Sequence, residues 1–173
     1  MSNFYAGIGA RRTPLFWLEW FTALAERLNE LHYVLRSGGA GGADTAFEMG
    51  ADPEDAEIYL PWHGFNNNES PLSHISAEAM EMAEHYHPRW SQLGSAAKKF
   101  MARNCYQVLG LDLDTPVDFI VCWTPAGVIT GGTGQALRMA EDLNIPVFNF
   151  GCSDPTTVKN ELDDLIKGRT YHD

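Results

Sequence analysis

Short segments rich in β-branched and aromatic residues alternate along this chain with stretches of helical periodicity, and that order permits few folds. Strand, helix, strand in repetition is the pattern of a parallel sheet whose crossovers lay helices against it. Strands are predicted at residues 4–8, 33–36, 56–60, 118–123 and 146–148, and helices at 14–31, 44–49, 76–85, 95–109, 134–143 and 155–167. Thr13 is the expected N-cap of the first helix, with Pro14 in its first turn. The expectation is an α/β fold, a Rossmann-like parallel sheet of about five or more strands with helices on both faces. A length of 173 residues at 45% hydrophobic composition favours a single domain over the whole chain.

The first helix carries Leu15, Phe16, Trp17, Leu18, Trp20, Phe21, Leu24, Ala25 and Leu28, more than one apolar stripe holds. Two of its faces are therefore expected to be buried, either between sheet and neighbouring helix or in a subunit interface, and a homo-oligomer is expected. Residues 61–71 combine Trp62, His63 and Phe65 with Gly64, three asparagines and two prolines, a turn-rich loop with aromatic content.

Three predicted strand ends carry glycine clusters: Gly7-Ile8-Gly9-Ala10-Arg11-Arg12, then Ser37-Gly38-Gly39-Ala40-Gly41-Gly42-Ala43-Asp44, then Gly131-Gly132-Thr133-Gly134. Glycine lets backbone approach a ligand closely, and the helix that follows offers unpaired N–H groups to an anion. Tight turns without a ligand are the alternative. The first cluster lacks the third glycine of a dinucleotide fingerprint, and no P-loop lysine is present. Arg11 or Arg12 instead offers a guanidinium for a phosphate, with Arg11 the one singled out, or else each is a solvated loop charge. Valine at Gly39 or Gly132 should block the ligand without unfolding the protein. Trp123 and Thr124 end the fourth strand, and Trp123, like Trp62, either stacks on a base or belongs to the core.

The formal charge of −11, from 23 acidic and 12 basic residues, predicts a surface that repels phosphodiester polymers, so nucleic acid is not expected as a partner. Cys105, Cys122 and Cys152 are odd in number and widely spaced, which reads as reduced thiols. No metal site and no cofactor are expected, His85 and His87 lacking further ligands at usable spacing. No apolar run reaches the ~20 residues of a membrane span. The first residues show no export signal, so a cytoplasmic location is expected.

The ordered set of three glycine motifs resembles the SLOG superfamily, which unites DprA-type DNA-processing proteins, LOG-type phosphoribohydrolases and nucleotide-sensing domains of bacterial defence systems. The chain is similar to its short, single-domain members often encoded by phages, some of which capture immune nucleotide signals. The resemblance implies a ligand over the three loops, held by residues among Gly7, Gly9, Arg11, Ser37, Gly38, Gly39, Gly42, Asp44, Trp123, Thr124, Gly131, Gly132, Thr133 and Gly134. It also implies anion-binding roles for Arg103 and Arg138. The LOG-type motif P-G-G-x-G-T-x-x-E places Arg138 where its catalytic glutamate stands and Gln135 at its threonine, while Arg103 matches the partner arginine. A cation cannot serve as the carboxylate of glycosidic cleavage. The implied function is binding of a small nucleotide-derived ligand, a cyclic nucleotide or ADP-ribose type, rather than catalysis. A nucleotide N-glycosidase, with Asp44 or Glu48 as the carboxylate, and a single-stranded DNA-binding recombination mediator are the alternatives, although Asp44 is rather expected to cap the second helix or to accept a ribose hydroxyl.

Overall fold

The computed structural model describes residues 3–170. Its strands are β1 (Asn3–Gly9), β2 (Tyr33–Ser37), β3 (Ala56–Ile58), β4 (Phe119–Trp123) and β5 (Val147–Asn149), all parallel in the order β3-β2-β1-β4-β5. Helices α1 (Leu15–Glu30), α2 (Ala43–Gly50), α3 (Ala77–Tyr86), α4 (Ser95–Leu109), α5 (Gly131–Asp142) and α6 (Pro155–Thr170) connect or follow them. The Rossmann-like α/β architecture expected from the alternation is the one observed.

Strand periodicity sorts the side chains onto two faces. Tyr5, Leu35, Phe119 and Val121 pack with Phe21 and Leu28 of α1, Phe47 of α2 and Leu162 of α6. Ala6, Ile8, Ile120 and Cys122 pack with Ala79 of α3, Ala102 and Cys105 of α4 and Ala136 of α5. Phe21 stacks on Phe47 with ring centroids 4.5 Å apart, joining α1 to α2. A Cβ at Gly7 would lie 2.5 Å from the Phe47 ring, so the first glycine of the chain makes room for this aromatic layer.

Four local expectations are corrected. The third glycine cluster is not a loop: Gly131, Gly132 and Thr133 form the first turn of α5, closed by Gly134 N–H donating to Thr130 O at 2.9 Å. Glycine's low helix propensity is overridden there by the backbone bond, so the helix begins at 131 rather than at the predicted 134. Thr13 does not cap α1; its hydroxyl donates to Ala10 O at 2.6 Å and tightens the preceding turn. Asp44 does not cap α2 but lies in its first turn, accepting from Ala40 N–H at 3.3 Å. The third strand ends at Ile58 rather than at residue 60: Tyr59 N–H still bonds Ser37 O of β2 at 2.9 Å, while Leu60 N–H, on the outer side of this edge strand, bonds Leu72 O at 2.8 Å as the chain turns into the following loop. On α1, Phe21, Leu24, Ala25 and Leu28 face the sheet, Trp17 and Trp20 lie against Phe150, and Leu15 and Phe16 stay 68% and 67% exposed. Among the described residues no helix is long and apolar enough to cross a membrane.

Candidate functional site

The strand order changes direction between β1 and β4. The chain leaves β1 for α1 on one face and leaves β4 for α5 on the other, so the two strand ends part and open a crevice. A cleft of about 470 Å³ lies there, within the ~300–1,000 Å³ typical of small-ligand sites. The first loop contributes Gly9, Ala10, Arg11 and Arg12. Opposite stand Thr124, Pro125 and the start of α5 at Thr130, Gly131, Gly132 and Thr133, and α4 closes the third side with Phe100, Arg103, Asn104 and Gln107.

The second glycine loop reaches the cleft only through Ala40 and Asp44. Ser37, Gly38, Gly39 and Gly42 face protein, while Gly41 faces open space. Ser37 Oγ donates to Gly7 O at 2.6 Å, Gly38 O accepts from Arg103 Nη1, and Gly39 O accepts from Asn66 Nδ2 at 3.0 Å. Gly42 has φ +82°, and a Cβ there would stand 2.6 Å from Arg11 O, so glycine lets the second loop brace the first.

Asp44 and Arg103 are both buried at the cleft floor. Burial pushes the Asp44 carboxyl up to about 6, against the lowering pull of Arg103 and of the Ala40 and Gly9 N–H groups. Burial lowers Arg103 to about 10, with Asp44 holding it up and Arg11 pressing it down. Arg103 therefore remains a cation at neutral pH. It is also a strut, donating from Nη1 to Gly38 O and to Tyr59 O at 3.1 Å, and from Nε to Asn104 Oδ1 at 2.9 Å. Asn104 Nδ2 in turn donates to Gly132 O at 2.7 Å, which ties α4 to the start of α5.

Of the residues singled out in the sequence, the fold gathers Gly9, Arg11, Asp44, Arg103, Thr124, Gly131, Gly132 and Thr133 around one cleft. Gly7, Ser37, Gly38, Gly39, Gly42, Trp123 and Gly134 do not line it. Trp123 packs into the α1–α2–α6 core layer. Arg138 lies away, its Nε donating to Tyr86 O at 2.9 Å and its Nη2 to Gln135 Oε1 at 2.7 Å, while Gln135 Nε2 donates to Ala83 O. These two residues clamp α5 to α3. Arg12, the other arginine that the sequence offered for a phosphate, lines the cleft beside Arg11, and sequence reasoning missed Phe100, Asn104, Gln107 and Thr130. A signal existed for part of this set: Phe100, Arg103, Asn104 and Gln107 share a helical face, and three of them are polar in a helix buried from Met101 to Leu109.

A second missed signal is charge segregation. Residues 3–18, 85–111 and 119–140 contain no Asp or Glu, yet hold seven of the twelve basic residues. They supply every lining residue of the cleft except Ala40 and Asp44. Among the described residues Asp44 is the only carboxylate lining it.

No known family matches the chain, and no curated protein matches it in sequence. A solved structure of DNA processing protein A from Helicobacter pylori, described for its unique single-stranded DNA binding mode, does match. It superposes with a TM-score of 0.61 at 20% identity, over 96% of this chain and 81% of that one. The two proteins share a fold. DNA processing protein A is among the proteins in the superfamily that the glycine motifs resemble. The match overturns the expectation that nucleic acid is not a partner, since a protein of this fold binds single-stranded DNA. Net charge was the wrong quantity, because the field at a site depends on nearby charges, and at the cleft Arg11, Arg12 and Arg103 outnumber the one carboxylate, Asp44.

Proposed function

We propose that this protein binds single-stranded DNA, seating one nucleotide in the cleft between β1 and β4 with a phosphate against Arg11, Arg12 and the first turn of α5. The observation that carries the reading is the cationic, acid-poor wall around the cleft in a chain of net charge −11. The first turn of α5 supports it. A Cβ at Gly131 or Gly132 would meet nothing within 4 Å, which leaves bare backbone in a helix start that attracts anions. The described binding mode of the structurally similar Helicobacter pylori protein points the same way.

Fluorescence anisotropy with labelled oligo(dT) at low salt tests the proposal. Binding should weaken with salt, at a log–log slope of roughly −0.7 per phosphate contacted. Arg11 is exposed and lines the cleft, so Arg11→Ala should leave the melting temperature unchanged. Loss of a charge-assisted hydrogen bond worth roughly 1.5–3 kcal/mol should weaken binding about ten- to a hundredfold. Arg11→Lys should recover part of it, since an ammonium cannot make a paired contact. No binding at low salt, or equal affinity for all three proteins, overturns the placement.

The size of the cleft favours a second reading, in which the ligand is a free nucleotide derivative of cyclic or ADP-ribose type. A volume of about 470 Å³ suits one nucleotide better than a strand. Calorimetry with such nucleotides, binding where oligo(dT) does not, would select it. Base release during the same incubation would show an N-glycosidase.

A further inference from the structure

Beside the cleft, Trp62, Phe65 and Phe100 form a three-ring cluster in which every pair meets edge to face, with centroids 5.2–5.3 Å apart. Phe100 belongs to both the cluster and the cleft wall. The Arg103 guanidinium lies 5.5 Å from the Phe100 ring centroid and 6.0 Å from that of Phe65, which joins the aromatic group to the cationic floor.

The loop that carries Trp62 and Phe65 is held firmly. Asn66 Nδ2 bonds Gly39 O, Asn68 Nδ2 bonds both Glu48 carboxylate oxygens at 2.9 and 3.1 Å, and Ser70 Oγ donates to Ile58 O at 2.6 Å. Gly64, Asn66 and Asn67 all adopt left-handed backbone, at φ 74°, 52° and 58°, a conformation that glycine and asparagine accept more readily than other residues. Aromatic rings serving only as loop anchors would be covered. Leu60 and Pro61 are buried, yet the next residue, Trp62, is 36% exposed on top of the two phenylalanines. A large, rigid, solvent-facing ring backed by two others is suited to receive a flat π surface.

We propose that Trp62, supported by Phe65 and Phe100, is a base-stacking subsite that holds an unpaired nucleobase of the strand next to the nucleotide in the cleft. This rests on the single-stranded DNA reading above. Phosphates bind along the Arg11 side and the base turns toward the α4 side, so the two contacts depend on different chemistry and separate experimentally.

The test compares oligo(dT) with an abasic strand of equal length and equal phosphate number, by anisotropy at one salt concentration. Wild type should bind oligo(dT) roughly five- to a hundredfold more tightly, the range that stacking of a single base confers. Trp62→Leu should bring oligo(dT) to the affinity of the abasic strand, and Trp62→Tyr should keep most of the preference. Equal binding of both strands by wild type overturns the stacking subsite and leaves the phosphate reading intact. A preserved preference in Trp62→Leu also overturns it. Failure of both strands to bind removes the DNA reading and the subsite together. The wild-type comparison stands without any variant, so a folding defect in Trp62→Leu does not decide the outcome.

Discussion

Replacing Asp44 by asparagine removes the titration of a carboxyl that burial raises from 3.8 to about 6, while keeping the shape of the side chain. Because the folded protein holds this proton more tightly than the unfolded chain, protonation favours folding. That stabilisation is complete below the unfolded value of 3.8 and is lost as pH rises through about 6. A difference of this size corresponds to about 3 kcal/mol. Asparagine is neutral throughout the window, so the difference between the two proteins follows the ionisation of Asp44, and the pull of Arg103 and of the Ala40 and Gly9 N–H groups on the carboxylate is already contained in the value of about 6. The assay is urea unfolding of wild type and Asp44→Asn from about pH 3 to about pH 7, read as the difference between the two proteins so that other carboxylates cancel. Wild type should lose about 3 kcal/mol relative to the variant on going from the acid to the neutral end. A difference that stays flat, or that grows in favour of wild type as pH rises, refutes the argument that burial dominates over Arg103 at this site.

The two glycines expected to behave alike should part company. Gly39 has φ +68° and a Cβ there would lie 2.7 Å from Leu60, so Gly39→Val should lower the melting temperature, whereas Gly132→Val, with open space around it, should fold normally and lose DNA affinity. Thermal melts and anisotropy on the same samples check both. Thiol labelling of the native protein near neutral pH should modify Cys152 first, because Cys105 and Cys122 are buried and burial pushes both thiols up, Cys105 to about 12. Cys105 or Cys122 labelling as fast as Cys152 would contradict that packing.

Much of the fold was legible in the residues themselves. The central strands β1, β2 and β4 were readable because they cross the core as short, mainly apolar runs, and the α4 range predicted from its period, 95–109, is the observed one. Errors collected where a tertiary bond outweighs local preference. Gly131 and Gly132 are poor helix formers that nonetheless begin α5, and Leu60 turns away to meet Leu72. The candidate site was half legible. Glycine clusters mark strand ends, but a glycine's neighbours are set by the packing of distant segments. Gly7 accommodates Phe47 and Gly42 accommodates Arg11 backbone, contacts that no local pattern displays.

By itself, then, the sequence determined what local periodicity and composition can encode: which segments are strands, which are helices, and that they alternate into a parallel sheet. It also contained the unequal distribution of charge, although a net total conceals it. Tertiary structure decided which loops meet. The reversal of strand order at β1 and β4 brings Arg11, Arg103 and Gly132 to one crevice from positions far apart in the chain, and sends Arg138 to a clamp between α3 and α5. The physical reason is that a side chain's chemistry depends on its distance from other groups through space, and only the packed sheet sets those distances.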